Sequence, residues 1–185
     1  MDTSPFKDDV LTLTECVRLV RSFHQRIKAP IAETPQTLKC DPPSALAFSV
    51  RLIELSKELA AAANGTQDVL LSRAAMAVEE LGEWLAANGQ GDVPVAGDAL
   101  GDRLYVLLGD AVATGMPLAE IFEAVHESNF SKLPGVTTAV GKAFRGPGYR
   151  APDLAALLAE LAADRRDDDA ADHVLDDCDD HICES

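Results

Sequence analysis

The chain has 185 residues, a length for one domain or for one domain with a tail. Its net charge of −15 argues against binding to a nucleic-acid backbone, because such binders present a basic face. Hydrophobic residues make up 47%, enough for a core, whereas aromatic residues make up only 5% and Ala and Leu abound, which favours helices over strands.

The opening "MDTSPFKDDV" is polar and acidic, without the basic start and apolar run of a secretory leader. No apolar stretch approaches the ~18 residues of a membrane span. The expectation is a cytoplasmic protein with no membrane partner. Cys16, Cys40, Cys178 and Cys183 form no CxxC pair, so no disulfide framework is expected.

The first helix is expected in "VLTLTECVRLVRSFHQRI", where Val10, Leu13, Val17, Val20 and Phe23 recur at helical spacing. "KAPIAETPQTLKCDPPS" carries four prolines and reads as a loop. A second helix is expected from about Ala45 to Ala63, stopped by "NGT". A third spans about Val69 to Ala87 and stops at "NGQGD". The fourth has Asp92 as N-cap and Pro94 in its first turn, and runs to about Thr114 before Gly115. "MPLAEIFEAVHESNFSKL" is a fifth.

Beyond Leu133, "PGVTTAVGKAFRGPGYRAPDL" reads as an ordered loop or short hairpin, followed by a short helix in "PDLAALLAELAADR". The end, "DDDAADHVLDDCDDHICES", is acidic, and residues 164–185 are expected to be a disordered tail. His173, Cys178, His181 and Cys183 lie in it, at a spacing that fits no standard zinc finger. The fold class is all-α, an antiparallel helical bundle in one domain over residues 1–163.

Acids concentrate on the third and fourth helices. Glu79 and Glu80 each share a helical arc with Glu83, and Asp98 shares one with Asp102. A short turn joins the two helices, so they should pack antiparallel with the acid sets facing each other. Such a cluster repels itself unless a cation sits within it. Mg²⁺ or Mn²⁺ suits carboxylate oxygen and leaves water positions open to a phosphate. The other reading is a solvated acidic face. The apolar run "LYVLLGDAV" favours the first reading, because it suggests that the fourth helix is central.

These residues carry a resemblance. "RAAMAVEELGEWLAANGQGDVPVAGDALGDRLYVLLGDAVATG" resembles the core of the MazG-like all-α nucleoside triphosphate pyrophosphohydrolases, a superfamily that includes phosphoribosyl-ATP pyrophosphohydrolase. The EExxE of that core is matched by Glu79, Glu80 and Glu83. The acid pair of the next helix, typically ExxD, is matched at Asp102 only. Ala99 stands at the other position, with Asp98 one residue earlier. "VRSFHQRIKAPIAETPQ", "IFEAVHESNFSKL" and "GKAFRGPGYRAPDL" are similar to the flanking parts of one branch, with an apparent insertion around residues 40–71.

The resemblance implies hydrolysis of NTP to NMP and pyrophosphate, in nucleotide-pool housekeeping, by a homodimer that uses Mg²⁺ or Mn²⁺. It implies Glu80, Glu83 and Asp102 as ligands, Glu79 as ligand or base, and Asp98 as a further ligand or supporting group. Lys132, Lys142, Arg145 and Arg150 form an acid-free basic stretch in an acidic chain, suited either to phosphate or to balancing the bundle's charge. Asn129, Lys132, Lys142, Arg145 and Tyr149 are the candidates for substrate contact. His24 and His126 read as packing residues, and Trp84 as a core or interface residue. The rival to the enzyme is a non-catalytic nucleotide- or partner-binding bundle, which Ala99 supports. A purely structural bundle would have no need of the basic Gly-rich loop.

Overall fold

A computed structural model describes residues 11–138 and 141–163. It is all-helical: α1 Leu13–Ile27, α2 Pro42–Thr66, α3 Val69–Gln90, α4 Val93–Thr114, α5 Leu118–Phe130 and α6 Leu154–Ala163. The chain divides into two compact units. One is Ala32–Leu118, with α2, α3 and α4. The other joins the chain up to Ile31 to the chain from Ala119, with α1, α5 and α6. The tail's His and Cys residues lie outside the described residues. No single helix among the described residues is long and apolar enough to cross a membrane.

Helix starts follow the capping residues. The Asp41, Asp68 and Asp92 side chains each accept from a backbone N–H of the first turn. Thr12 and Glu15 form a reciprocal capping box at α1. Those hydrogen bonds from Thr12 hold the Glu15 carboxyl below its ordinary pKa. Three boundaries differ from the sequence expectation. Pro42 and Pro43 do not extend the loop; they occupy the first turn of α2, where no N–H is needed. "NGT" does not stop α2 either, and the αL cap falls on Gln67. Likewise α3 runs through Asn88 and Gly89 to its αL cap at Gly91.

In the Ala32–Leu118 unit, α2 and α3 pack along a seam of small residues. Ala45, Ser49, Ser56 and Ala63 are buried on α2, and Ala75 and Gly82 on α3. A Cβ on Gly82 would lie 2.9 Å from Ile53 Cδ1 and 3.3 Å from Leu52 Cβ. One on Gly89 would lie 3.1 Å from Ala45 Cβ. The stretch read as an insertion therefore forms an antiparallel partner for the acid-bearing helix. Gly82→Val should overpack this seam and cost about 1–3 kcal/mol, read as a lower urea midpoint at unchanged slope.

Helices α3 and α4 form the expected antiparallel hairpin. Arg73 on α3 pairs with Asp110 on α4, and its Nη2 donates to the Val106 carbonyl at 2.7 Å. Gly109 leaves room for that guanidinium: a Cβ there would lie 2.6 Å from Arg73 Nη2. The loop before α2 is tied to the far end of α3. The Leu38 N–H donates to Asn88 Oδ1 at 2.8 Å, and Asn88 Nδ2 donates to the Trp84 carbonyl at 2.7 Å.

The expectation that α4 lies centrally is not met within one chain. Only Ala99 on α4 is buried, while Tyr105 is 80% exposed and Val112 84%. The apolar run "LYVLLGDAV" is thus half covered by α3 and otherwise bare. Its hydrophobicity reflects a surface that this unit does not fill by itself.

In the other unit, aromatic rings join α1 to α5. Phe23 and His126 both contact Phe130, and Arg26 lies over the Phe130 ring. His126 also stacks on Phe122, in keeping with a packing role. After α5 the chain returns to α1 through a hydrogen bond from the Gly135 N–H to the Arg26 carbonyl. Among the described residues one antiparallel bridge, between Thr137 and Ala143, ties the stretch read from sequence as an ordered loop or short hairpin.

Candidate functional site

The antiparallel register of α3 and α4 decides which acids meet. Arg73 sits opposite Asp110, and Trp84 sits opposite Arg103. Just past the Arg103 level, Asp102 comes near enough to Glu80 for its charge to act there, as that of Glu83 does. Asp98 lies one turn further toward the connection between the helices.

Glu80 is the inner member of the set. It is half-buried, whereas Glu79, Glu83, Asp98 and Asp102 are exposed. Its Oε2 is buried and has no hydrogen-bond partner. Burial pushes its pKa up, and the charges of Glu83, Asp102, Glu79 and Asp98 push it further, in that order. The other four carboxylates therefore all act on Glu80, with Asp98 the weakest contributor. A buried carboxylate oxygen without a donor is costly, and no protein donor in the structure satisfies it.

The donor chemistry of this group is carboxylate oxygen throughout, the type that Mg²⁺ and Mn²⁺ prefer. Among the described residues, no set of three or more Asp, Glu, His or Cys side chains stands close enough together to hold a metal ion as oriented. The four exposed acids would have to turn inward around Glu80. Ala99, which stands where the resembled pattern has an acid, is 3% exposed and packs inside the hairpin. It supplies no ligand, and Asp98 beside it points to solvent.

The substrate-contact candidates of the other unit fall in two groups. Lys132, Lys142 and Arg145 line a cavity of about 660 Å³ together with Phe23, His24 and Gly141. Lys132 Nζ donates to Asn129 Oδ1 at 2.6 Å, so Asn129 positions the lysine. Gly141 occupies the left-handed region at φ 78°, and its N–H donates to the Thr138 carbonyl. Tyr149 anchors its loop instead: Ser128 Oγ lies 3.5 Å from its hydroxyl, and Arg145 covers its ring at 4.7 Å. Arg150 is fixed through its backbone N–H to Ser131 Oγ at 2.8 Å. Gly146 serves packing as well, because a Cβ there would lie 2.5 Å from Leu133 Cδ2. His24 Nδ1 is 2.9 Å from the Pro30 carbonyl, so it secures the end of α1.

All five carboxylates, and Asn129, fall in a segment that matches a known family model. Residues 57–129 match the family model of phosphoribosyl-ATP pyrophosphohydrolase. The match supports a pyrophosphohydrolase-type family, hydrolases that act on acid anhydrides, as the sequence resemblance implies. The matched segment begins inside α2 and ends in α5. It therefore takes in part of the stretch read as an insertion, and leaves the basic loop outside. No curated protein matches the chain.

Sequence reasoning passed over Arg103. Its guanidinium carbon lies 4.7 Å above the Trp84 ring centre. Trp84 directly follows Glu83 and Arg103 directly follows Asp102, but that adjacency gains meaning only once the two helices are paired.

Proposed function

We propose that this protein is a cation-dependent nucleoside triphosphate pyrophosphohydrolase, cleaving NTP with water to NMP and pyrophosphate. The observation that carries the reading is the buried, unpartnered Glu80 oxygen amid four further carboxylates, inside the pyrophosphohydrolase segment. Glu80, Glu83 and Asp102 would hold Mg²⁺ or Mn²⁺, with Asp98 reaching it through water. The bound cation would neutralise phosphate charge and lower the pKa of an attacking water. Glu79, exposed and next to Glu80, would take the proton of that water as its oxygen bonds to the α-phosphorus. The α–β bridging bond then breaks, and the electron pair leaves with pyrophosphate.

The cavity lined by Lys132, Lys142 and Arg145 suits an anion, and we read it as phosphate-binding. A pyrophosphate-release screen over all NTPs and dNTPs, with Mg²⁺ and with Mn²⁺, tests the proposal and identifies the base. Release from none of them would leave the binding-only reading, which the buried Ala99 favours.

We further propose that the protein is a cytoplasmic homodimer joined through α4. Tyr105, Leu108 and Val112 are exposed along one face of this helix, more apolar surface than a stable monomer usually shows. Light scattering should give twice the chain mass at micromolar concentration, and Leu108→Glu should give the monomer. A wild-type monomer at that concentration would refute the dimer.

A further inference from the structure

A cleft of about 390 Å³ runs along the α3–α4 hairpin, lined mainly by Ala77, Leu81, Leu100, Leu104 and Leu107. Two charged residues line it. Asp110 is paired with Arg73. The other, Arg103, has no ion pair or hydrogen bond shown; its guanidinium rests on the Trp84 indole. A cation in an apolar cleft is unfavourable unless something compensates it, and the indole face offers only partial compensation.

Its position beside the acids sharpens the question. Arg103 follows Asp102 on α4, and Trp84 follows Glu83 on α3. The guanidinium is held over the indole with no ion pair or hydrogen bond among the described residues, so its five N–H donors remain available. Such a residue is already ordered, so binding an anion through it costs little side-chain entropy.

We propose that Arg103 is a polyphosphate-binding residue, held ready on Trp84 to grip the phosphate that the acid-bound cation brings to the hairpin. This rests on the reading of the acids as a cation site. Guanidinium contact with phosphate is bidentate, and that fork fixes orientation as well as charge. The role is one of binding, so its loss should raise KM more than it lowers kcat.

Trp84 is the only tryptophan in the chain and lies against the guanidinium, so its fluorescence reports on the contact. The test titrates Mg²⁺ first, then inorganic pyrophosphate in the presence of Mg²⁺, into the wild-type chain, R103Q and R103K. Wild-type emission should change on adding pyrophosphate. R103Q should keep its Mg²⁺ response and its melting temperature but bind pyrophosphate at least ~10-fold more weakly, the scale of one charged hydrogen bond. R103K should recover part of that loss. Pyrophosphate binding to R103Q as tightly as to wild type would overturn the role of Arg103 and leave the cation site standing. A wild-type chain that responds to Mg²⁺ but never to pyrophosphate would also overturn it. A chain that responds to neither would sink the cation site itself, and this proposal with it.

Discussion

Adding Mg²⁺ or Mn²⁺ to the metal-free chain should raise its melting temperature, and Glu80→Gln should abolish the rise. A ligand that binds only the folded state stabilises it by mass action, ~2.7 kcal/mol at about a hundred times its Kd. For a chain of this size that corresponds to roughly 5–10 °C. Glu80 is the residue to change because its buried oxygen has no partner and its charge is opposed by all four neighbouring acids. Calorimetry that detects no binding at millimolar metal would remove the cation from the account.

The same residue sets a pH dependence with a definite sign. The folded-state pKa of Glu80 is raised above its ordinary 4.5, by burial first and by the four acids next. An acid so shifted prefers its neutral form in the folded chain. Its contribution to stability is therefore full below about pH 4.5, and is lost as the pH climbs through the raised value. In chelator, wild type should lose stability over that climb relative to Glu80→Gln, which has no proton to release. The variant should be the more stable of the two at neutral pH, although it no longer answers to metal. A wild-type curve parallel to that of the variant across this range would show that Glu80 ionises without penalty.

How far the sequence foretold this arrangement depends on which physical signal each residue carries. The α3–α4 hairpin and its acids were legible, because helical spacing and capping residues are local. Asp92 and Gly115 alone delimit α4 correctly. The role of α2 was not legible. Its buried face is Ala45, Ser49, Ser56 and Ala63, small residues that no hydrophobic count distinguishes from surface. Only the glycine opposite, Gly82, hinted at a close approach, and its meaning depends on a neighbour 29 positions away. The apolar run of α4 misled for the opposite reason. Hydrophobicity reports a preference for burial and does not say which chain provides it. Arg103 escaped notice because its partner is an aromatic ring on another helix, a contact that no spacing rule encodes.

The acids of α4 should separate sharply under mutation. Asp102→Ala should cut pyrophosphate release by at least ~10³-fold, the ~4 kcal/mol scale of a lost charge-stabilising ligand. Asp98→Ala should cost less than ~10-fold. The register brings Asp102 near enough to Glu80 for its charge to act there, and more strongly than that of Asp98. Asp98 lies a turn further along the helix and faces solvent. It is also one residue before Ala99, hence rotated ~100° from the direction in which the buried Ala99 points. A short aspartate side chain cannot span that rotation, but a water held by the cation can. Replacing Ala99 with Glu gives the complementary experiment. If the buried position lacks room, the variant should melt lower without gaining rate. If the hairpin opens to admit it, metal should bind more tightly and Asp98 should become dispensable. Equal losses for Asp98→Ala and Asp102→Ala would mean that both contact the cation directly. The α4 backbone would then have to turn relative to α3 from the position that Arg73 and Asp110 hold.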